Sequence, residues 1–241
     1  VNYKSKDYMI SSLSQSLFEN NENIEVISFD ENSCLEKINK KAFSCTSISK
    51  IKIPSSVKKI SKAAFYFCSN LEAIEFAQNS QLESIGYEAF SGTSIFHITF
   101  PSSLKIIGER SFFYCQNIQS VEFPSNSQLI TIASEAFSGT SISYIKIPSS
   151  CQKICEGAFS SCEKLNTIEI PIDSDLRIIE NEAFAATLID KIFIPSKCND
   201  LQKGCFTCML FLNEIQVSPQ NKSFIFVDNT FLLGKTNEDF D

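Results

Sequence analysis

The residues best suited to chemistry in this sequence are ten cysteines and a single histidine, His97. Cys205 and Cys208 form a Cys-x-x-Cys pair, a spacing that can bind zinc or exchange disulfides. A zinc site needs four ligands, and a redox site needs an exposed thiol of low pKa. No histidine lies in this part of the chain. We therefore interpret the pair as structural and predict no metal site and no cofactor.

Catalysis by His97 is also not predicted. No Ser, Cys or carboxylate is spaced from it as a catalytic triad demands. Acidic residues are numerous, but Glu75, Glu122 and Glu169 recur at one outward position and are typical of a solvated surface. The seven glycines leave no phosphate-binding loop. We expect a protein without enzyme activity and without catalytic residues.

A regular recurrence of phenylalanine organises the chain. The recurring residues are Phe18, Phe43, Phe65, Phe90, Phe112, Phe137, Phe159, Phe184 and Phe206. Successive steps alternate between 25 and 22 residues, so two unequal units repeat together every 47 residues. Apolar residues lie eight and five positions before each Phe. A fixed period of this length predicts stacked repeats.

A strand-like segment follows each Phe, as in IEVISF, ISKIKI, LEAIEF and IFHITF, nine copies in all. The longer steps have a five-residue loop such as AQNSQ where the shorter ones have PSS. One unit cannot bury its apolar face alone, whereas stacked units form continuous ladders. The sequence predicts an α/β repeat solenoid: a leucine-rich-repeat-like arch with a parallel β-sheet on its concave face, short helical or irregular convex segments, and a spine of Phe rings.

Most cysteines fit this repeat. Cys68, Cys115 and Cys162 each lie three residues after a Phe, in alternate units, and Thr takes this position in the units between them. Two units separate successive thiols by roughly 10 Å, beyond the roughly 7 Å limit between the Cα atoms of a disulfide. We predict reduced, buried thiols that pack as small apolar residues.

The repeat pattern resembles a known family. Residues 154–171 read ICEGAFSSCEKLNTIEIP, and the nine copies agree in phase with L-x-x-I-x-x-x-A-F-x-x-C-x-x-L-x-x-I-x-I-P. This frame resembles the BspA-like leucine-rich repeats, also called the Treponema–Bacteroides type, over roughly residues 10 to 217. The stretch NKSFIFVDNTFLLGK resembles the extended insert that follows such units. We divide the chain into a solenoid at 1–217 and, at 218–241, this insert or the start of a next unit.

The resemblance implies a cell-surface or secreted protein of host-associated bacteria or parasitic protists, which adheres to host cells or extracellular matrix. It implies a protein or glycoprotein ligand and no enzyme activity. The free cysteines and the missing signal segment favour an alternative, an intracellular leucine-rich-repeat scaffold for protein interactions. Weak self-association through the open ends of the solenoid is also expected.

Charge and hydropathy limit the partners further. The net charge of −7 and a pI near 4.9 disfavour nucleic acid and anionic membranes. No apolar run reaches the roughly 20 residues of a membrane span. The chain begins VNYKSKDYMI, without an initiator Met or a signal segment, so we expect a fragment of a longer protein. Asn221-Lys-Ser223 is a single glycosylation sequon.

Strand alternation predicts where a partner binds. In the pattern L-x-x-I-x-I, the residues that flank the central Ile point away from the core. Most of them are small or charged, but His97, Tyr144 and Phe193 place rings there. Rings are enriched in binding hot spots because they bury a large area at little entropic cost. We predict a partner-binding surface around His97, Tyr144, Lys146 and Phe193.

Overall fold

The chain coils into a parallel β-solenoid of about nine turns. The structure is a computed structural model that describes residues 11–30, 32–227 and 231–234. Each turn contains, in order, a two-residue strand, a segment centred on the recurring Phe, a second strand segment and a loop. The predicted stacked repeat is therefore confirmed.

The two-residue strands pair side by side into one parallel sheet of nine strands in the described part of the chain. In spatial order they are β1 (Ser12–Leu13), β2 (Lys37–Ile38), β4 (Lys59–Ile60), β6 (Ser84–Ile85), β8 (Ile106–Ile107), β10 (Thr131–Ile132), β12 (Lys153–Ile154), β14 (Ile178–Ile179) and β16 (Asp200–Leu201). The second residue of each strand is apolar and lies five positions before the next recurring Phe. This position faces the core, and the first residue faces outward, as in Lys37 and Ile38.

The strand segments after each Phe form four two-stranded parallel sheets. These pair β3 (Lys50–Ile53) with β5 (Ala73–Phe76), β7 (His97–Thr99) with β9 (Ser120–Glu122), β11 (Tyr144–Lys146) with β13 (Thr167–Glu169), and β15 (Lys191–Ile194) with β17 (Glu214–Val217). Before them, Val26 forms an isolated bridge with Lys50. We call these strands the outer strands.

A single continuous sheet through the outer strands was expected, and this is wrong. Paired strands are 23 residues apart, as in Lys50 and Ala73, whereas strands separated by the five-residue loop are 24 apart. No sheet pairing joins successive pairs among the residues described. Single backbone hydrogen bonds, such as the one from the N–H of Phe96 to the carbonyl of Glu72 (3.2 Å), join successive pairs at these points. The continuous sheet is formed instead by the two-residue strands.

Of the two alternatives expected around each Phe, short helical or irregular segments, the helical one is wrong, since no helix occurs in the residues that the structure describes. These segments direct their N–H groups to the next turn: Phe43 donates to the carbonyl of Ala64 at 2.8 Å. The residues two before and two after the Phe adopt positive φ, as Lys41 (57°) and Cys45 (56°) do. Left-handed residues at this spacing prevent the i to i−4 bonds of a helix.

The spine of Phe rings is confirmed. Rings from Phe18 to Phe184 form one continuous stack of eight, with neighbouring centroids 5.0 to 5.7 Å apart. Seven of these rings, from Phe43 onward, are fully buried, while Phe18 is partly exposed at one end. Phe206, at the other end, is half-buried against the core. The spine joins all turns into one hydrophobic core.

The chain after the last turn forms a hairpin. Strand β18 (Phe224–Val227) pairs antiparallel with β19 (Phe231–Gly234). This antiparallel pairing differs from the parallel strands of the solenoid. The rest of the predicted 218–241 segment, residues 228–230 and 235–241, lies outside the described residues.

Candidate functional site

Three of the four predicted binding residues are exposed. Their positions follow the strand alternation: Tyr144 and Lys146 flank buried Ile145 on β11, and His97 precedes buried Ile98 on β7. Phe193 on β15 differs, because its ring is half-buried and packs against the core. A large ring gains free energy by covering neighbouring apolar surface. The prediction of an exposed ring at Phe193 is therefore wrong.

The four residues are spread along the solenoid. Tyr144 and Lys146 share one strand, whereas β9 lies between them and His97, and β13 lies between them and Phe193. Neighbouring turns are roughly 4.8 Å apart, so adjacent members are separated by about 10 Å. The structure thus brings Tyr144 and Lys146 together and leaves His97 and Phe193 as separate points on the same side.

Glu169 links Tyr144 and Lys146 into one polar cluster. It lies on β13, directly across from Lys146. Its carboxylate accepts a hydrogen bond from the Tyr144 hydroxyl at 2.6 Å and forms an ion pair with the Lys146 ammonium. The bonds from Lys146 and then Tyr144 hold the Glu169 pKa below its usual value, and the bond to Glu169 raises the pKa of Tyr144 to about 12. An exposed ring is therefore held in one orientation.

His97 also has partners on the next turn, which the sequence spacing did not reveal. Its Nδ1 is 2.6 Å from the Ser120 hydroxyl, and its Nε2 is 2.8 Å from the Thr99 hydroxyl. Glu122 lies 3.9 Å from the same Nε2. Ser120 and Glu122 reach His97 because β7 and β9 pair in register, with His97 opposite Ser120 and Thr99 opposite Glu122.

These contacts do not form a hydrolytic triad. In a triad, the serine and the carboxylate bond to opposite nitrogens of the imidazole, and the carboxylate orients the ring. Here Thr99 already occupies Nε2, and Glu122 is too far from it for a hydrogen bond. Thr99 donates instead to Glu122 at 3.3 Å. The cluster is a chain of surface hydrogen bonds on an exposed strand.

An open groove of about 520 Å³ lies beside His97. Its lining includes Phe76 and Phe100, and the loops that follow three successive outer strands supply polar lining residues. These are Asn79, Ser80, Ser102 and Asn126. Apolar area with a few polar groups around it is typical of a binding surface. No sequence pattern indicates this groove, because its walls come from three different turns.

The cysteines at the recurring position are buried, as predicted. Cys68 donates to the carbonyl of Phe43 at 2.9 Å and lies 3.4 Å from the hydroxyl of Thr46 in the preceding turn. Cys115 and Cys162 repeat this arrangement with Thr93 and Thr140. Burial raises the pKa of both Cys115 and Cys162 to about 11. These thiols donate hydrogen bonds to backbone carbonyls that are buried inside the solenoid.

The environment of the Cys-x-x-Cys pair does not suit a redox-active thiol. Cys205 is buried, and burial raises the pKa of its thiol to about 11, while Cys208 is exposed. A redox-active thiol needs a depressed pKa and access to solvent. No group of three or more potential metal ligands occurs among the described residues. All ten cysteines have free thiols.

Thiol labelling tests this arrangement. At pH 8, a maleimide should label the native chain at Cys34, Cys45 and Cys208, because these thiols are exposed or half-exposed. The other seven are buried and should react only slowly. Mass spectrometry after denaturation without reductant should find all ten labelled. Rapid native labelling of Cys115, or fewer than ten labels after denaturation, would contradict the buried, reduced ladder.

Asn221, the sequon residue, is buried and fully engaged. Its Nδ2 donates to the carbonyls of Pro195 (2.7 Å) and Cys198 (2.8 Å), and its Oδ1 accepts from the N–H groups of Ser223 and Phe224, both at 2.8 Å. Nδ2 is the atom to which an N-linked glycan attaches. In the folded chain Asn221 therefore acts as a clamp between the last turn and the hairpin.

Fold and surface together define a class: a repeat solenoid that presents its strands and loops as an extended surface. The chain belongs to the family of the BspA type leucine rich repeat region, whose family model matches in six copies over residues 5–118 and 83–213. The resemblance inferred from the repeat frame is thus confirmed. No relative is found among curated protein sequences.

Solved structures show the same fold. A leucine rich repeat protein of T. pallidum is 25% identical, with a TM-score of 0.56 over 78% of this chain and 76% of its own. A leucine-rich repeat protein of Bacteroides ovatus is 23% identical, with a TM-score of 0.55 over 83% and 69%. The pneumococcal vaccine antigen PcpA is 22% identical, with a TM-score of 0.52 over 88% of this chain. This chain spans 61% of the PcpA chain.

Within the described residues, no helix is long and apolar enough to cross a bilayer.

Proposed function

We propose that this chain is a non-enzymatic binding module of a cell-surface or secreted adhesion protein, which recognises a protein or glycoprotein of host cells or extracellular matrix. The observation that carries the proposal is the side of the solenoid formed by the outer strands. It combines an open groove beside His97 with the exposed, oriented ring of Tyr144. A ring that is already immobilised loses little entropy when a partner covers it.

The family supports this proposal, because the resemblance to BspA-like repeats implies adhesion proteins of the cell surface. The absence of enzyme activity belongs to the same proposal. His97 lies 2.6 Å from the Ser120 hydroxyl, but its other nitrogen contacts the Thr99 hydroxyl and not a carboxylate that would orient the ring. A panel of esterase, protease and glycosidase substrates should give no turnover above background. Turnover that is lost in His97→Ala would overturn this part.

Binding through the outer strands has a direct test. A partner captured by pull-down from host-cell or matrix extracts should bind Tyr144→Ala about tenfold or more weakly, since one truncated hot-spot ring costs about 2 kcal/mol. Tyr144→Phe keeps the ring and loses the bond to Glu169, so it should weaken binding less. Glu88→Ala, on the Phe-centred segment, is the control and should bind normally. Loss of affinity for Glu88→Ala alone would place the partner on another side.

A second candidate is an intracellular scaffold, which the ten free thiols favour, because cytosolic proteins keep cysteines reduced. An antibody against the chain distinguishes the two candidates: staining of intact cells supports surface display, and staining only after permeabilisation supports the scaffold. In either location, β1 and β16 are the outermost strands of the continuous sheet. We infer that a second copy would pair weakly along these edges.

A further inference from the structure

The distribution of charge in this chain is strongly uneven. Between residues 37 and 71 there are eight Lys and no Asp or Glu, although the whole chain has a net charge of −7. Eight of its 21 basic residues therefore fall in less than a sixth of its length. Whole-chain charge disfavours polyanions as partners, but a partner responds to the local potential of the surface that it contacts.

The fold gathers five of these lysines on two neighbouring turns. Lys37 on β2 and Lys59 on β4 are direct partners in the continuous sheet. Lys40 and Lys62 follow three residues later on each turn, and Lys58 precedes Lys59. All five side chains are exposed. We call Lys37, Lys40, Lys58, Lys59 and Lys62 the lysine patch.

Few of these charges are neutralised. Lys58 pairs with Glu36 at 2.8 Å, and the Lys62 ammonium lies 4.2 Å from the centre of the Tyr87 ring. Lys37, Lys40 and Lys59 have no ion pair among the described residues. Like charges directly opposite in a sheet are destabilising. Folding therefore gives no reason for Lys37 and Lys59 to be neighbours, whereas binding to an anion does.

The same side of later turns is more acidic. The positions that correspond to Lys40 and Lys41 carry five Glu and two basic residues further along the solenoid: Glu88, Glu109, Glu135, Glu156 and Glu182, and Arg110 and Lys203. A flat anionic membrane would contact these carboxylates together with the lysines and would be repelled. A narrow linear polyanion can cross the two lysine turns alone. Lys62 occupies one face of the Tyr87 ring beside the patch, so a nucleic-acid base cannot stack on that face while this contact is made.

We propose that the lysine patch binds a linear sulfated polysaccharide. The ammonium groups contact sulfate groups of successive sugars, and the contacts release counterions. The proposal rests on the proposed function only for the place where such a glycan would be met, the cell surface or matrix. It identifies a second binding surface, on the continuous sheet and its following turns, separate from the outer strands.

Binding of a size-defined heparin oligosaccharide to the purified chain, measured by calorimetry, tests the proposal. Lys37→Gln/Lys59→Gln should weaken binding about tenfold or more, given the usual contribution of a Lys at an anionic surface. Lys50→Gln/Lys52→Gln is the matched control: it removes two charges from the same region, but from β3 among the outer strands. The control should bind within about twofold of the original chain. Affinity should fall steeply with added salt.

Other outcomes would overturn the proposal. Equal losses in the two double variants would show that net charge, and not the patch, governs binding. Unchanged affinity for desulfated heparin, or preferred binding of single-stranded DNA or phosphatidylserine vesicles, would identify a different ligand class. No heparin binding would exclude the glycan outright. Neither variant should unfold at a clearly lower temperature than the original chain, and removal of the like-charged Lys37 and Lys59 pair should raise that temperature slightly. Loss of fold is then not mistaken for loss of the site. The pull-down with Tyr144→Ala tests the outer strands independently.

Discussion

Phe112→Ala should lower the free energy of unfolding by about 3 to 5 kcal/mol, the largest loss that we expect from a single substitution. Phe112 is fully buried in the middle of the spine. Its ring stacks on Phe90 and Phe137, with both centroids at 5.3 Å, and meets the edge of Phe100 at 5.7 Å. The cavity left by its removal is closed in by neighbouring turns and cannot collapse easily. Urea denaturation followed by circular dichroism measures the loss.

Two further variants act as controls. Phe18→Ala should cost clearly less, because this ring lies at the end of the stack and is only partly buried. Ser111→Ala, next to Phe112, should raise stability by about 1 kcal/mol: its buried hydroxyl has no hydrogen-bond partner among the described residues, and six other turns have Ala at this position. Equal effects of Phe112→Ala and Phe18→Ala would contradict the stacked spine.

Asn221→Ala should cost about 3 kcal/mol and release the hairpin from the last turn. The substitution removes four hydrogen bonds at once and leaves two carbonyls and two N–H groups to find other partners. Because the clamp lies at the end of the solenoid, unfolding should begin there. Hydrogen exchange should show loss of protection at the amide of Phe224, while the amide of Phe112 in the central turns stays protected.

Ser223→Ala separates this structural role from glycosylation. It destroys the Asn221-Lys-Ser223 sequon, yet it keeps all four bonds, because Ser223 contributes only its backbone N–H. We expect its stability to match that of the original chain. The original chain, which keeps the sequon, should be expressed in a secretory host. The Asn221 nitrogen is buried and bonded in the fold, so the folded chain should show no increase in mass from a glycan. A glycan at Asn221 in native protein would show that the clamp is open.

The cysteines show which structural features a repeat pattern predicts and which it does not. The positions of Cys68, Cys115 and Cys162 within the units indicated burial and free thiols, because the distance between equivalent residues of a solenoid follows from the turn spacing alone. Their hydrogen bonds to Phe carbonyls and Thr hydroxyls did not follow, since they depend on the path of the backbone within each turn. The left-handed residues around each Phe set that path.

The predicted binding residues show what strand alternation determines and what it does not. Alternation correctly placed His97, Tyr144 and Lys146 on the exposed side of their strands, because side-chain direction has a period of two in any strand. It failed for the Phe193 ring, whose rotation onto the core depends on what lies next to it. Partners such as Glu169 for Tyr144 and Ser120 for His97 lie on the following turn, so only the register between strands identifies them.

The sequence by itself determined the number of turns, the Phe spine and the family, because each follows from spacing that recurs along the chain. Only the tertiary structure decided which segments join into the continuous sheet, why the Phe segments are not helical, and how the lysine patch and the groove assemble. These features depend on hydrogen bonds and charges between turns that are 22 to 25 residues apart. The physical reason is that periodicity specifies which side chains share a column, whereas the geometry between neighbouring columns is set by backbone conformation and packing.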